Sequence, residues 1–115
     1  MVRPTEANLV GDKERFEQRR AALRQRFGSL YDFILGLLFE VDPIGINFET
    51  NADEYEPEVD TILPRLEEGK TVEDLQRIVH EEFVRWFGAE TAGAAAKYMG
   101  IARRLHAELE RRRLS

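Results

Sequence analysis

Apolar and polar positions along the chain fall into helical periods separated by short breaks. From Asp12, a residue type suited to an N-cap, Phe16, Arg20, Leu23 and Phe27 recur at i, i+4, i+7 and i+11, the spacing of one helical face. Gly28 fits the position just past a helix end. Ser29, followed three residues later by Asp32, has the form of a capping box that opens a second helix. In that helix Leu30, Phe33, Ile34, Leu37, Leu38 and Val41 make one apolar face, and Tyr31, Leu35 and Phe39 carry it around most of the circumference. Such a helix is expected at the centre of the fold, with burial in a dimer seam as the alternative. Asp42-Pro43 should stop it, because the residue before a proline avoids the helical region.

Residues 42–53 read as a long connection in which Ile44, Ile46 and Phe48 alternate with Gly45, Asn47 and Glu49, the pattern of a short extended segment pinned by its apolar positions. A third helix is predicted from Asp53 or Glu54, with Pro57 in its first turn and Val59, Ile62, Leu63 and Leu66 turned inward. Pro64 should kink or break it. Thr71 with Asp74 is a second capping-box pattern, opening a fourth helix marked by Leu75, Ile78, Val79, Glu82 and Trp86 and ending before Gly88. Trp86, with Phe83 or Phe87, should face the core. A last helix is expected from about Thr91 to Arg113 on Tyr98, Ile101, Ala102, Leu105 and Leu109, its first half carrying small residues (Ala92 to Ala96, Gly100) that would let a neighbouring backbone approach closely. The reading is an all-α fold, an irregular bundle of four or five helices forming a single domain over residues 12–115, after a flexible lead-in over residues 1–11.

Composition sharpens this picture. A chain of 115 residues with 43% apolar content can bury one core and not two. The absence of cysteine removes disulfides, thiolate metal sites and thiol nucleophiles together, and a reducing cytoplasmic setting is expected. The start of the chain, Met1 to Glu6, leads into charge and not into the apolar core of a signal peptide. The most apolar run, Leu30 to Val41, is interrupted by Asp32, Gly36 and Glu40 and is shorter than the roughly 20 apolar residues that span a bilayer, so no membrane association is expected.

Charge is unevenly placed. The net charge is −5, and residues 40 to 60 hold Glu40, Asp42, Glu49, Asp53, Glu54, Glu56, Glu58 and Asp60 without a lysine or arginine, while residues 13 to 26 and 103 to 113 are rich in arginine. Bulk charge favours a basic partner and opposes nucleic acid, consistent with a sequence pI near 5.1. Arg19, Arg20, Arg24 and Arg26 are expected to interleave with Glu14 and Glu17 on a solvated helix face, and Arg111 to Arg113 to complement a helix dipole.

Candidate chemistry is thin. His80 and His106 lie on different predicted helices, and His80-Glu81 lacks the second histidine of a zincin because Val84 stands there. Asn47, Glu49, Asn51, Asp53, Tyr55 and Glu58 fall on the ligand positions of a twelve-residue calcium loop, but Ala52 sits where the sharp turn needs glycine and Pro57 occupies the penultimate place. The glycines are scattered and form no phosphate cradle. No catalytic residue, metal site or cofactor is expected.

Asp42-Pro43-Ile44-Gly45, then Asp53-Glu54-Tyr55 with Glu58, then Trp86-Phe87-Gly88, stand in an order that resembles a family of small bacterial helical proteins of unknown function. In these a helix ends in a DPIG-type turn, an acidic DEY-type helix start follows, and a later helix finishes in a Trp-Phe-Gly-like stretch. The resemblance covers roughly residues 37 to 88 and implies a bacterial origin and, since some members are similar to immunity proteins, a protein that neutralises a partner. It supplies no catalytic residues.

The function expected from all of this is a non-enzymatic protein-binding module, immunity- or antitoxin-like, meeting a basic partner protein through Phe48, Glu49, Asp53, Glu54, Tyr55, Glu56 and Glu58, with Phe48 and Tyr55 as apolar anchors. Two other readings stand beside it: a structural homodimer, and a small metal-dependent enzyme built on a carboxylate cluster.

Overall fold

A single glycine separates the first two helices. In a computed structural model, which describes residues 13–45 and 54–114 of the chain, helix α1 spans Lys13–Phe27 and helix α2 spans Ser29–Val41. Between them Gly28 adopts φ 56° and ψ −129°, a conformation closed to residues with a Cβ, and its N–H still donates to Arg24 O at 2.8 Å. The capping box expected at Ser29 and Asp32 does not form. Ser29 already lies inside α2, its hydroxyl accepts from Arg112 Nη1 at 3.0 Å, and Asp32 is taken by Arg24 at 2.7 Å. At the other end Asp42 turns left-handed (φ 52°, ψ 58°) ahead of Pro43 and donates its N–H to Leu38 O, so α2 stops where the proline requires. The lead-in over residues 1–11, the Asp12 cap and the segment 46–53 lie outside the described residues.

Helix α3 covers Glu56–Ile62 with Pro57 in its first turn, and at Pro64 the chain tightens into a 3-10 helix, Leu63–Glu68. Proline lacks the N–H that an α-helical bond would use, which is the break foreseen from the sequence. At Gly69 an added Cβ would stand 2.9 Å from Leu75 Cδ2, so this turn sits tightly on the next helix. That helix, α4, spans Val72–Phe87 and carries the Thr71–Asp74 capping box: Thr71 Oγ1 accepts from the Asp74 N–H at 3.1 Å, and Asp74 Oδ2 accepts from the Thr71 N–H at 3.2 Å.

The last helix is broken where one continuous helix was expected. Residues Ala89–Ala92 form α5, Gly93 turns at φ 80°, a 3-10 stretch covers Ala95–Tyr98, and only then does α6 run from Met99 to Leu114. Side chains replace the lost backbone bonds: Tyr98 Oη donates to Ala92 O at 2.6 Å, Gln76 Nε2 to Ala95 O at 2.8 Å, and His80 Nε2 lies 2.9 Å from Gly93 O. The small residues do not mediate close packing as a group. Ala94, Ala95 and Ala96 are exposed and a Cβ on Gly100 would meet nothing within 4 Å, whereas Ala92 and Ala102 are buried in the core.

The fold is all-α, with no strand among the described residues. Its centre is α4 and not α2. Leu75, Ile78, Val79, Phe83, Trp86 and Phe87 of α4 are buried, and α4 packs against α3, the 63–68 segment, α5, the 95–98 segment and α6. Helix α2 sits to one side against α1, α3 and α6, burying Leu30, Tyr31, Ile34, Leu37 and Leu38 while Phe33, Leu35 and Phe39 are only partly covered and Val41 is 41% exposed. Trp86 is 4% exposed, and its indole N–H donates to Thr61 Oγ1 at 3.0 Å. Among the described residues no helix is long and apolar enough to cross a membrane.

Candidate functional site

The acidic stretch is divided by the fold. Tyr55, just before α3, is fully buried with its ring 6.0 Å from that of Phe83. Its hydroxyl donates to Asp42 Oδ1 at 2.7 Å and accepts from the Ile44 N–H at 3.3 Å. Burial pushes the phenol well above its usual value, and the bond to Asp42 adds to this. Glu58 is 0% and Asp60 4% exposed, and Glu54 and Glu56 are half-buried. Tyr55 and Glu58, expected at a partner interface, therefore face the core. Phe48, Glu49 and Asp53 lie outside the described residues.

The charge that balances Glu56 and Asp60 comes from α1, whereas Glu40 is met by Arg104 of α6 at 2.8 Å. Arg20 Nε donates to Asp60 Oδ2 at 3.0 Å and its Nη1 lies 3.5 Å from Glu56 Oε1. Arg24 donates from Nη2 to Glu56 Oε2 and from Nη1 to Asp32 Oδ1, both at 2.7 Å, with its guanidinium 4.2 Å above the Tyr31 ring. Tyr31 Oη completes the set by donating to Asp60 Oδ1 at 2.7 Å. Burial holds the Tyr31 phenol protonated far above its ordinary range, reinforced by Asp60. Burial opposes the charge on Arg20, but its bonds to Asp60 outweigh that and raise its pKa; for Arg24 the bond to Glu56 leads the upward shift. The expectation that these arginines interleave with Glu14 and Glu17 in solvent is thus corrected at Arg20 and Arg24. The sequence did hold a signal: Arg20 and Arg24 share the face of Leu23 and Phe27, and Glu56 and Asp60 are likewise four residues apart on α3.

A second cluster lies across α4. Glu82, fully buried, accepts from Arg65 Nη1 at 2.8 Å through Oε2, while Oε1 has no hydrogen bond and lies 3.6 Å from Arg85 Nη1. Arg65 also donates to Glu81 Oε1 at 2.7 Å and stands 3.5 Å from Glu68 Oε2. Partial burial works against its charge, yet these carboxylates raise its pKa, and Arg65 in turn lowers that of Glu81. This is the geometry of a buried charge matched by its partner.

The remaining candidates resolve into structural roles. The His80 ring stands 5.5 Å from Tyr98 and its Nε2 contacts Gly93 O, and His106 lies 3.9 Å from Glu110 one turn on. Among the described residues no group of three or more His, Cys, Asp or Glu side chains is disposed to hold a metal ion. At the end of α6 Arg111 and Arg112 pair with Glu108 and Arg113 with Glu110 along the helix, while Arg104 and Arg112 reach across to Glu40 and Ser29 of α2.

Comparison of the chain with family models, with curated proteins and with solved structures returns no match.

Proposed function

We propose that the chain is a non-enzymatic, immunity- or antitoxin-like binding module of the cytoplasm, and that it meets a basic partner protein through the connection between α2 and α3. The observation that carries this reading is the 2.7 Å bond between Tyr55 and Asp42. It fastens the two ends of the connection to one point on the core. Between those ends the sequence places Phe48, Glu49 and Asp53, and from residue 40 to residue 60 it places no lysine or arginine.

Two roles divide the acidic stretch in this reading. Tyr55, Glu56 and Glu58 belong to the frame, since Glu56 is matched to Arg20 and Arg24 and the other two are buried. Glu49 and Asp53 steer the partner, with Phe48 as the apolar anchor and Glu54 at the edge of α3. The Tyr55–Asp42 bond holds the two ends of the connection at a fixed separation.

The test begins with capture of the partner from source-cell lysate at low salt and its identification by mass spectrometry. Affinity and its salt dependence are then measured for Glu49→Lys/Asp53→Lys. The double variant should bind at least tenfold more weakly and with a flatter salt dependence, while its helicity and melting temperature stay those of the parent. Unchanged affinity and salt slope would remove the reading.

A further inference from the structure

We propose that α1 is an exchangeable element, and that a second copy of this chain is a partner the α2–α3 surface fits: α1 of each copy docks on the other, giving a reciprocally swapped dimer. Three observations lead here. The first is the connection. Gly28 alone links α1 to α2, it is exposed, and a Cβ built on it would meet nothing within 4 Å. Its N–H already makes an i to i−4 bond with Arg24 O, so rotation at one residue is enough to join the two helices. The result would be one helix from Lys13 to Val41, roughly 40 Å long.

The second observation is how α1 is held. Leu23 is its buried apolar residue among those described, 8% exposed, with Phe27 packed at the edge of the core. The rest of the docking is polar: Arg20 on Asp60 and Glu56, Arg24 on Glu56, Asp32 and the Tyr31 ring, and Arg26 on Glu67 at 3.3 Å. These contacts are specific in geometry and indifferent to which copy supplies the arginines. An α1 that swings away leaves Asp60 and Glu56 without their cations, and the segment whose chemistry answers that surface is α1 of a second copy.

The third is that Gly28 opposes the exchange. At φ 56° and ψ −129° it holds a conformation available to glycine alone, whereas in a joined helix the same residue would be α-helical, where glycine is the weakest former after proline. Gly28 therefore biases the chain toward the closed arrangement of α1 and α2. Arg112, which donates to Ser29 Oγ, holds the start of α2 in place and confines the movement to residue 28.

The experiment is Gly28→Ala in the full chain. Alanine is strained in the closed form and favoured in the joined helix, so the dimer dissociation constant should fall by roughly tenfold or more. Light scattering should then report a dimer at micromolar concentration where the parent is monomeric. The chain has no cysteine, so Arg19→Cys and Glu40→Cys can be spin-labelled without background. In a dimer diluted with unlabelled chain, the distance within one copy should lengthen to the roughly 30 Å of a continuous helix. A monomeric Gly28→Ala variant with parental melting temperature overturns the proposal, and so does a dimer in which that distance is unchanged. Should the variant fail to fold, the parent chain refolded at millimolar concentration carries the same measurement: a dimer with the lengthened distance supports exchange, and monomer alone overturns it.

Discussion

Tyr31 donates its hydroxyl to Asp60 across the α2–α3 contact at 2.7 Å, on the carboxylate oxygen that Arg20 does not use. Both oxygens of a carboxylate that is 4% exposed are thereby satisfied, one by a neutral donor from α2 and one by a cation from α1. The two partners should differ in weight. Tyr31→Phe removes one hydrogen bond to a charged group and is expected to cost about 1–3 kcal/mol. Arg20→Met leaves the buried carboxylate without its cation and should cost more, about 3–5 kcal/mol. Urea unfolding at neutral pH measures both, and an Arg20 variant no weaker than the Tyr31 variant would show that the ion pair adds nothing beyond the hydroxyl.

The Arg65–Glu82 pair allows a cleaner separation of charge from packing. Arg65→Met removes the hydrogen-bonded cation from a fully buried carboxylate and leaves it with Arg85 at 3.6 Å from an Oε1 that has no hydrogen bond, with an expected loss of about 3–5 kcal/mol. Adding Glu82→Gln should return a good part of that, because the neutral amide no longer needs a cation. Unfolding free energies of the two single variants and the double variant form the cycle. Additive costs would mean that the two side chains do not act on each other.

The sequence disclosed what depends on neighbours along the chain and concealed what depends on neighbours in space. Thr71 and Asp74 could be read as a cap because both partners and their spacing lie within one turn. Pro64 could be read as a break for the same reason. Ser29 and Asp32 have an equally good local pattern, yet Arg112 and Arg24 claim their side chains from 83 and 8 residues away. The run of acids from 40 to 60 looked uncompensated because the compensating Arg20 lies 40 residues before Asp60. The placing of α2 at the centre rested on its apolar circumference, but a central helix is defined by how many elements surround it, and that number belongs to the topology. The break at Gly93 was hidden because Tyr98, Gln76 and His80 supply from a distance the bonds that a continuous helix would have made.

Trp86 combines volume with a polar contact, its indole N–H reaching Thr61 Oγ1 at 3.0 Å. Trp86→Ala should cost about 3–5 kcal/mol from the cavity. Trp86→Phe keeps most of the volume and should cost less, so thermal melts of the pair rank packing against the hydrogen bond. An unchanged melting temperature in the alanine variant would contradict the placement of this side chain in the core.

The α4 cap sets part of the acid limb of stability. Asp74 accepts backbone N–H bonds from Lys70 and Thr71, and these, the Lys70 bond first, hold its carboxyl below the ordinary carboxylate range. For a group depressed in the folded state, the stabilisation is complete above the unfolded value of about 3.9 and is lost as pH falls through the folded value beneath it. Asp74→Asn should therefore flatten the loss of stability below about pH 4. Thr71→Ala removes the other half of the box and should cost about 1 kcal/mol at every pH where the fold persists. Melting temperature against pH for both variants distinguishes the two halves, and a parental acid limb in the asparagine variant would show that Asp74 does not contribute to it.

The Tyr55–Asp42 bond makes a prediction that joins stability to binding. Tyr55→Phe keeps the ring against Phe83 but deprives Asp42 of a donor and the Ile44 N–H of its acceptor. The expected cost is about 1–2 kcal/mol. Because the bond ties the two ends of the connection together, the loss should also be local: hydrogen exchange at the Ile44 amide should speed up more than exchange in α4. If the connection carries the partner contact, affinity should fall in this variant although no side chain proposed to touch the partner has changed, since Asp42 and Tyr55 are then no longer fastened to each other. Calorimetry on Tyr55→Phe and on Glu49→Lys/Asp53→Lys separates the two causes. The charge variants should lose salt dependence, whereas the clasp variant should keep the parental salt slope at a weaker affinity. A clasp variant with parental affinity would mean that the ends of the connection need no fastening for the partner to bind.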